Sequence, residues 1–184
     1  MPASTPSSST AANCRPAASS AEKTAWASPV PTLAAEDAVR RIGGHHAAAS
    51  DADRDELALA SLLAGYGIDA AWYGLHHVCS QTVVRLAGVG HGPANAALLP
   101  HTIAVLRERR PEVLAHLDDV AGVALEELAG RLAAAAGATR LRELGVEEDL
   151  LDDLADAAQG RPELDLIGPK ASREELRAIL ESAW

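Results

Sequence analysis

The sequence predicts an all-α fold, a helical bundle in one folded domain. Apolar residues recur at helical spacing along the chain, and no alternation of strand and helix patterns is found. Hydrophobic residues make up 48% of the 184 residues, but there is no Phe and Ala supplies much of this fraction. Small side chains let helices approach closely, although each buries little area. The length is sufficient for a single domain with a core.

The start of the chain differs in composition from the rest. Residues 1–31 are rich in Ser, Ala, Thr and Pro, which predicts a disordered or loosely packed segment, with Trp26 as a candidate contact to the domain. We assign residues 32–184 to the folded domain. Thr32 is predicted as the N-cap of a first helix over residues 33–43, which two glycines end.

A long second helix is predicted after Ser50 or Asp51, either of which can cap it. Asp69 lies near the predicted end of this helix, in a locally apolar stretch where a carboxylate is costly unless it is paired. It precedes His77 by about two helical turns if the helix is unbroken. Asp69 could therefore orient a histidine or act as a metal ligand, or it could simply face solvent at a helix end. The predicted apolar surface of the helix consists of Leu57, Leu59, Leu62 and Leu63.

The central stretch, residues 74–101, holds four of the seven histidines. Residues 73–88 are predicted as a helix in which His77 and Gln81 lie one turn apart, on the side opposite the apolar face. His91 follows in a glycine-rich break, and Pro93 opens the next helix. The layout predicts that His77 and His91 meet at one end of a helix pair. The apolar face consists of Leu75, Val78, Cys79, Thr82 and Leu86.

Two readings of this histidine pair follow from spacing alone. Imidazole is a ligand for Zn, Fe, Cu or Ni, but a metal site normally needs at least three protein ligands. Alternatively, the two side chains are ordinary, partly buried histidines that bond to the backbone. Cys79, although close to His76 and His77, lies on the apolar face and is assigned to the core.

The rest of the chain continues the helical pattern. Pro111 changes the register, and Ser172 with Glu175 three residues later predicts a capping box for the last helix. The intervening helices are predicted over residues 121–136, 141–144 and 147–158, with a connector at 160–169.

The motifs GLHH and GHGPANAALLPH resemble those of the iron-dependent alcohol dehydrogenase family, in its maleylacetate-reductase-like branch. In that resemblance, His77 and His91 match two metal ligands. Gln81 stands where the family has a second helix histidine linked to catalysis, and Gly90 stands where it has Pro. The resemblance covers about residues 32–184 and implies a helical bundle similar to the C-terminal domain of those enzymes.

The resemblance also implies what this chain lacks. Family members are about twice as long and open with a dinucleotide-binding domain, whereas no G-x-G-x-x-G motif after a strand occurs here. Their remaining metal ligands are Asp or Asn and a His four residues later. Asn13 could replace the first, but Ala17 occupies the second position. We therefore do not expect NAD(P) to bind this chain alone, and Fe or Zn at His77 and His91 is left open.

The expected function is that of a repurposed small-molecule enzyme with a histidine-lined cleft. His77 and His91, with His76, Gln81 and Asp69 beside them, would act as acid–base or hydrogen-bonding groups on a small organic substrate. Without a nicotinamide, lyase, isomerase, dehydratase or cyclase chemistry is expected. One alternative is the helical subunit of a split NAD(P)- and metal-dependent oxidoreductase that a partner chain completes. The other is a non-catalytic scaffold.

Charge and composition narrow the partners and the compartment. A net charge of −10 argues against nucleic acid and anionic membranes. Two cysteines make no disulfide framework, and neither a signal peptide nor a membrane-spanning stretch is recognised, so a cytoplasmic protein is expected. We expect a homo-oligomer, or a partner chain that covers the face of the lost domain.

Overall fold

The fold is entirely helical over the residues that the computed structural model describes, which are 29–47, 49–166 and 168–184. This part of the chain contains no β-strand, so the predicted all-α class is confirmed. Two 3-10 helices, Leu141–Leu144 and Pro162–Leu166, accompany the α-helices. The α-helices are α1 (Pro29–His45), α2 (Asp51–Ala71), α3 (Leu75–Ala87), α4 (His91–Arg109), α5 (Pro111–Ala121), α6 (Leu125–Ala135), α7 (Leu150–Gln159) and α8 (Arg173–Ala183).

The main hydrophobic core lies between α3, α4, α7 and α8. Helix α4 packs against both α3 and α8, while α7 packs against α8 and α3. Val78 and Val83 of α3 and Leu98 of α4 are fully buried there. This core fixes the relative positions of the two helices that carry the histidines. Its large leucines are Leu98, Leu141, Leu151, Leu154, Leu176 and Leu180.

Helices α1 and α2 form a hairpin beside this core. They pack mainly on each other, and α1 also packs on α5. Ser50 caps α2 as predicted: its Oγ accepts from the amide of Asp53 at 3.1 Å, and the Asp53 carboxylate accepts from the Ser50 amide at 2.9 Å. Gly43 lets α1 approach α5, because a Cβ at this position would lie 2.2 Å from the carbonyl oxygen of Ala121.

Several predicted boundaries were wrong. Helix α1 begins at Pro29, so Thr32 lies inside its first turns instead of capping it. The helix predicted over 121–136 begins later than expected, because Ala121 is the last residue of α5, which Gly122 ends at φ +72°. Helix α6 then starts at Leu125, whose amide donates to the carboxylate of Asp118 at 2.9 Å.

The outer face of α2 differs from the prediction. Leu57 and Leu63 are partly buried, but Leu59 and Leu62 are exposed, at 39% and 69% of their surface. These two leucines therefore do not belong to the apolar surface that packs α2 on the domain. Other large apolar side chains, including Val30 and Leu33 of α1, are also exposed.

The chain breaks between α2 and α3. Trp72 adopts φ +64°, a conformation that L-residues other than Asn and Asp rarely adopt, and residues 72–74 are not helical. Asp69 and His77 therefore lie on different helices, and the unbroken helix considered for them is wrong.

The C-terminal helix is fixed at both of its ends. The Ser172 Oγ accepts from the amide of Glu175 at 3.2 Å, which is the first half of the predicted capping box, whereas the Glu175 carboxylate pairs with Arg109. The Trp184 indole Nε1 donates to the carbonyl of Val146 at 2.8 Å. None of the helices in the described part of the chain combines the length and the apolar character needed to span a bilayer.

Candidate functional site

The predicted histidines lie near the starts of two consecutive helices, α3 and α4. His77 lies in the first turn of α3, whose N-cap is Gly74, and His91 is the first residue of α4. Gly88 adopts φ +70° and caps α3, so residues 88–90 return the chain to α4 within three residues. His91 was predicted in a loop, but it is already helical, with Gly90 as the N-cap.

His77 is half-buried between two rings. The Tyr73 ring lies 5.5 Å away between centroids, and the His76 ring lies 5.4 Å away at nearly a right angle. The pKa of His77 is lowered, first because burial disfavours the charged imidazole and second because His91 lies close enough to interact with it electrostatically. No hydrogen bond joins the His77 ring to the described residues. His77 therefore presents a neutral imidazole at neutral pH.

His76 is the most buried member of the histidine cluster, which we define as His76, His77 and His91. Its Nδ1 donates to the Thr102 Oγ1 at 3.0 Å, because the Thr102 hydroxyl itself donates to the carbonyl of Leu99 at 3.0 Å. Burial, and then the charge of His77, lower the pKa of His76 to about 4. His76 therefore joins α3 to α4 as a neutral ring.

Gln81 lies one turn after His77 on α3, and its side-chain oxygen accepts from the Arg161 guanidinium at 3.1 Å. Arg161 also pairs with Glu163, and Glu163 accepts from the Tyr73 hydroxyl at 3.1 Å. Sequence reasoning missed Arg161 and Glu163, because they lie in the segment assigned as a connector. No helical spacing relates that segment to α3, so only the fold brings these groups together.

Asp69, a predicted site residue, lies apart from the cluster, and Cys79 lies in the core as predicted. Asp69 is exposed on α2, and no hydrogen bond or ion pair joins it to a histidine among the described residues. Cys79 is fully buried, and burial raises the pKa of its thiol to about 12. Since the thiolate is the reactive form of cysteine, this residue is part of the core and not a nucleophile.

The described residues do not form a complete metal site. His77 and His91 provide two imidazoles, but no group of three or more His, Cys, Asp or Glu side chains in the described ranges is arranged to hold a metal ion. Asn13 and Ala17, the positions considered for the other ligands, lie outside the described residues. A metal held by His77 and His91 would therefore need further ligands from outside the described residues.

The family of the chain is shown by a match to a model of a known protein family. The profile described as Fe-containing alcohol dehydrogenase family, C-terminal, matches residues 25–184. The chain belongs to this family. The match confirms the resemblance inferred from the two histidine motifs, and it places the chain on the C-terminal part of the family's enzymes.

Curated relatives are about one-third identical to the chain over the aligned residues. The 1,3-propanediol dehydrogenase of Klebsiella pneumoniae is 31% identical over 176 residues, which are 86% of this chain and 46% of that enzyme. The maleylacetate reductase of Rhizobium sp. (strain MTP-10005) is 32% identical over 127 residues, 66% of this chain and 34% of the enzyme. The chain thus spans at most about half the length of the curated relatives it matches.

Solved structures of the family share the helical fold. A putative alcohol dehydrogenase from Ralstonia eutropha JMP134 superposes with a TM-score of 0.77 at 26% identity, over 89% of this chain and 49% of that one. Maleylacetate reductase from Agrobacterium tumefaciens gives a TM-score of 0.75 at 26% identity, with the same coverage. The helical architecture is therefore that of the corresponding half of these family members.

Proposed function

We propose that this chain is a small-molecule enzyme that uses the histidine cluster for acid–base chemistry without NAD(P). The reaction would be of the lyase, isomerase, dehydratase or cyclase type, because these reactions move protons and break or rearrange bonds without a hydride carrier. The single observation that carries the proposal is His77, a half-buried neutral imidazole with no hydrogen bond to the described residues.

The roles follow from the chemistry of each group. A neutral imidazole accepts a proton, so His77 is the proposed base. His91 is exposed at the start of α4 and lies within electrostatic reach of His77, so it is the proposed second proton-transfer group. His76 is bonded to Thr102 and is proposed to support the ring of His77. Gln81 is the proposed hydrogen-bonding group, and Asp69 stays a candidate only if a movement of α2 brings it closer.

A direct test uses maleylacetate, the compound after which some relatives are named, because its keto group activates the neighbouring C–H bonds for proton abstraction. The purified chain is incubated with maleylacetate in D2O, without nucleotide, and conversion or C–H deuterium exchange is followed by proton NMR. We expect a reaction that His77→Gln removes. The matched control is His116→Gln, because His116 lies exposed on α5, where it pairs with Glu36. Turnover by wild type that His77→Gln leaves unchanged would contradict the proposal.

A second candidate function is the helical subunit of a split NAD(P)- and metal-dependent oxidoreductase. The observation that favours it is the exposed apolar surface of the α1–α2 hairpin, where Leu33, Leu62 and Tyr66 are 62%, 69% and 47% exposed. A partner chain, or a second copy of this chain, would cover that surface.

Three measurements separate the two functions. Fluorescence titration with NADH tests nucleotide binding, elemental analysis tests Fe and Zn, and sedimentation equilibrium tests assembly. The split enzyme predicts a stoichiometric metal, lost in His77→Ala, and nucleotide-dependent turnover only when a partner is present. The repurposed enzyme predicts turnover by the isolated chain without nucleotide. Nucleotide-dependent turnover by the isolated chain would contradict both.

A further inference from the structure

Four polar side chains form one hydrogen-bonded network beside His77, on the same side of α3. The Nη2 of Arg161 donates to the Gln81 Oε1 at 3.1 Å, to the Tyr73 hydroxyl at 3.4 Å and to the Glu163 Oε1 at 2.7 Å. The Nε of Arg161 donates to the other oxygen of Glu163 at 2.9 Å. The network joins α3 to the segment that leads into the second 3-10 helix.

The chemistry of Arg161 determines which way the amide of Gln81 faces. A guanidinium has only donors, so the amide must present its oxygen to Arg161, and its NH2 group must point away. The Gln81 nitrogen makes no hydrogen bond to the described residues. The Tyr73 hydroxyl is different, because it already donates to Glu163 and accepts from Arg161. The Arg161 Nη1 also has no hydrogen-bond partner among the described residues, but it is buried, so Gln81 is the member of this network whose unused donor is not enclosed by protein.

The network is anchored by a mostly buried ion pair between Arg161 and Glu163. Arg161 and Glu163 form a two-pronged ion pair, and their side chains are only 14% and 15% exposed. The Arg161 guanidinium lowers the pKa of the Glu163 carboxyl to about 2, so both partners remain charged at neutral pH. A bidentate ion pair of this kind restricts the orientation of the Arg161 guanidinium. Because the guanidinium bonds to the Gln81 oxygen, it also restricts the orientation of the Gln81 amide.

We propose that Arg161 is a positioning residue that holds Gln81 so that its NH2 group donates to a carbonyl or carboxylate oxygen of the substrate. His77 lies one turn away on the same helix, so the substrate oxygen would be bound beside the imidazole. This inference rests on the proposed function, because it takes the surroundings of His77 as the substrate site. It adds a ligand class, a small molecule with an acceptor oxygen, and a residue that acts through Gln81.

The first arm of the test needs no ligand. NMR relaxation of the side-chain 15N–1H2 group of Gln81, assigned by its loss in Gln81→Leu, reports how firmly the amide is held. We expect a rigid Gln81 amide in wild type and a mobile one in Arg161→Lys, since lysine keeps the charge but cannot form the two-bond pair with Glu163. Arg131→Gln is the control, because Arg131 forms an exposed pair with Glu127 on α6. An amide equally rigid in Arg161→Lys would overturn the positioning role.

The second arm uses succinate as the carboxylate probe and 1,4-diaminobutane as a probe without acceptor oxygens. We expect succinate, and not the diamine, to shift the Gln81 amide signal. Gln81→Glu keeps an acceptor for Arg161 but replaces the NH2 donor with a carboxylate oxygen, so it should weaken succinate binding on the order of tenfold or more. Arg161→Lys should weaken it by a similar factor, and Arg131→Gln should not.

The outcomes separate this inference from the proposed function. If succinate shifts the His77 ring signals but not the Gln81 amide, the donor role of Gln81 is wrong while the histidine site stands. If Arg161→Lys binds succinate as wild type does, charge alone is sufficient and the positioning role is wrong. If succinate shifts neither His77 nor Gln81, both the inference and the proposed site fail.

Discussion

Replacement of His76 by Gln should make the protein less sensitive to acid. The folded ring keeps a pKa of about 4, whereas a histidine in the unfolded chain titrates near 6.5. In the window between these values the unfolded state binds the additional proton, so the free energy of unfolding decreases as the pH decreases. The contribution is absent above about pH 7 and reaches about 2 kcal/mol of lost stability by pH 5 and about 3 kcal/mol by pH 4.

The assay is urea denaturation followed by circular dichroism, with a chelator present, at a series of pH values between about 7 and about 5. Wild type should lose about 2 kcal/mol more stability over this interval than His76→Gln, because the variant has no imidazole to charge. His116→Gln, which removes an exposed histidine, should retain the steeper wild-type dependence. Parallel curves for wild type and His76→Gln would show that the buried ring does not control the acid response.

Four further substitutions test the packing and one helix cap. Gly43→Ala should destabilise the protein by about 1–3 kcal/mol, since the new methyl group would lie 2.2 Å from the carbonyl oxygen of Ala121. Gly44→Ala, which has open space around it, should be close to neutral. Thermal denaturation of the two variants checks this difference. Leu154→Ala, at a fully buried position, should lower the free energy of unfolding by about 2–5 kcal/mol in urea, and an effect below about 1 kcal/mol would contradict its place in the core. Ser50→Ala should cost about 1 kcal/mol and increase amide hydrogen exchange in the first turn of α2, whereas unchanged exchange would refute the capping role.

The sequence was most informative where local chemistry determines the structure. The N-caps at Ser50 and Ser172 were recognised because each hydroxyl acts on an amide within one turn. The helical spacing likewise identified most of the buried face of α3, at Leu75, Val78 and Cys79, but Leu86, which was predicted on the same face, is 49% exposed. These signals sufficed for the all-α class and for the pairing of α3 with α4.

The prediction failed where a contact crosses between distant segments. Leu59 and Leu62 have the spacing of a buried stripe, yet they face solvent, because spacing identifies an apolar face but not the element that covers it. The start of α6 depends on the carboxylate of Asp118, which belongs to the preceding helix. The partner of Gln81 is Arg161, eighty residues later, and no periodicity relates the two.

The attachment of the α1–α2 hairpin has a consequence for how the molecule opens. The hairpin shares most of its contacts internally, and α5 is its main connection to the other helices, through the close approach at Gly43 and the pair of His116 with Glu36. Because the hairpin is connected mainly through α5, the free energy needed to detach it should be lower than the free energy needed to unfold the core. Protease cleavage under native conditions should therefore begin in this hairpin and leave a protected fragment built on α3 and α4.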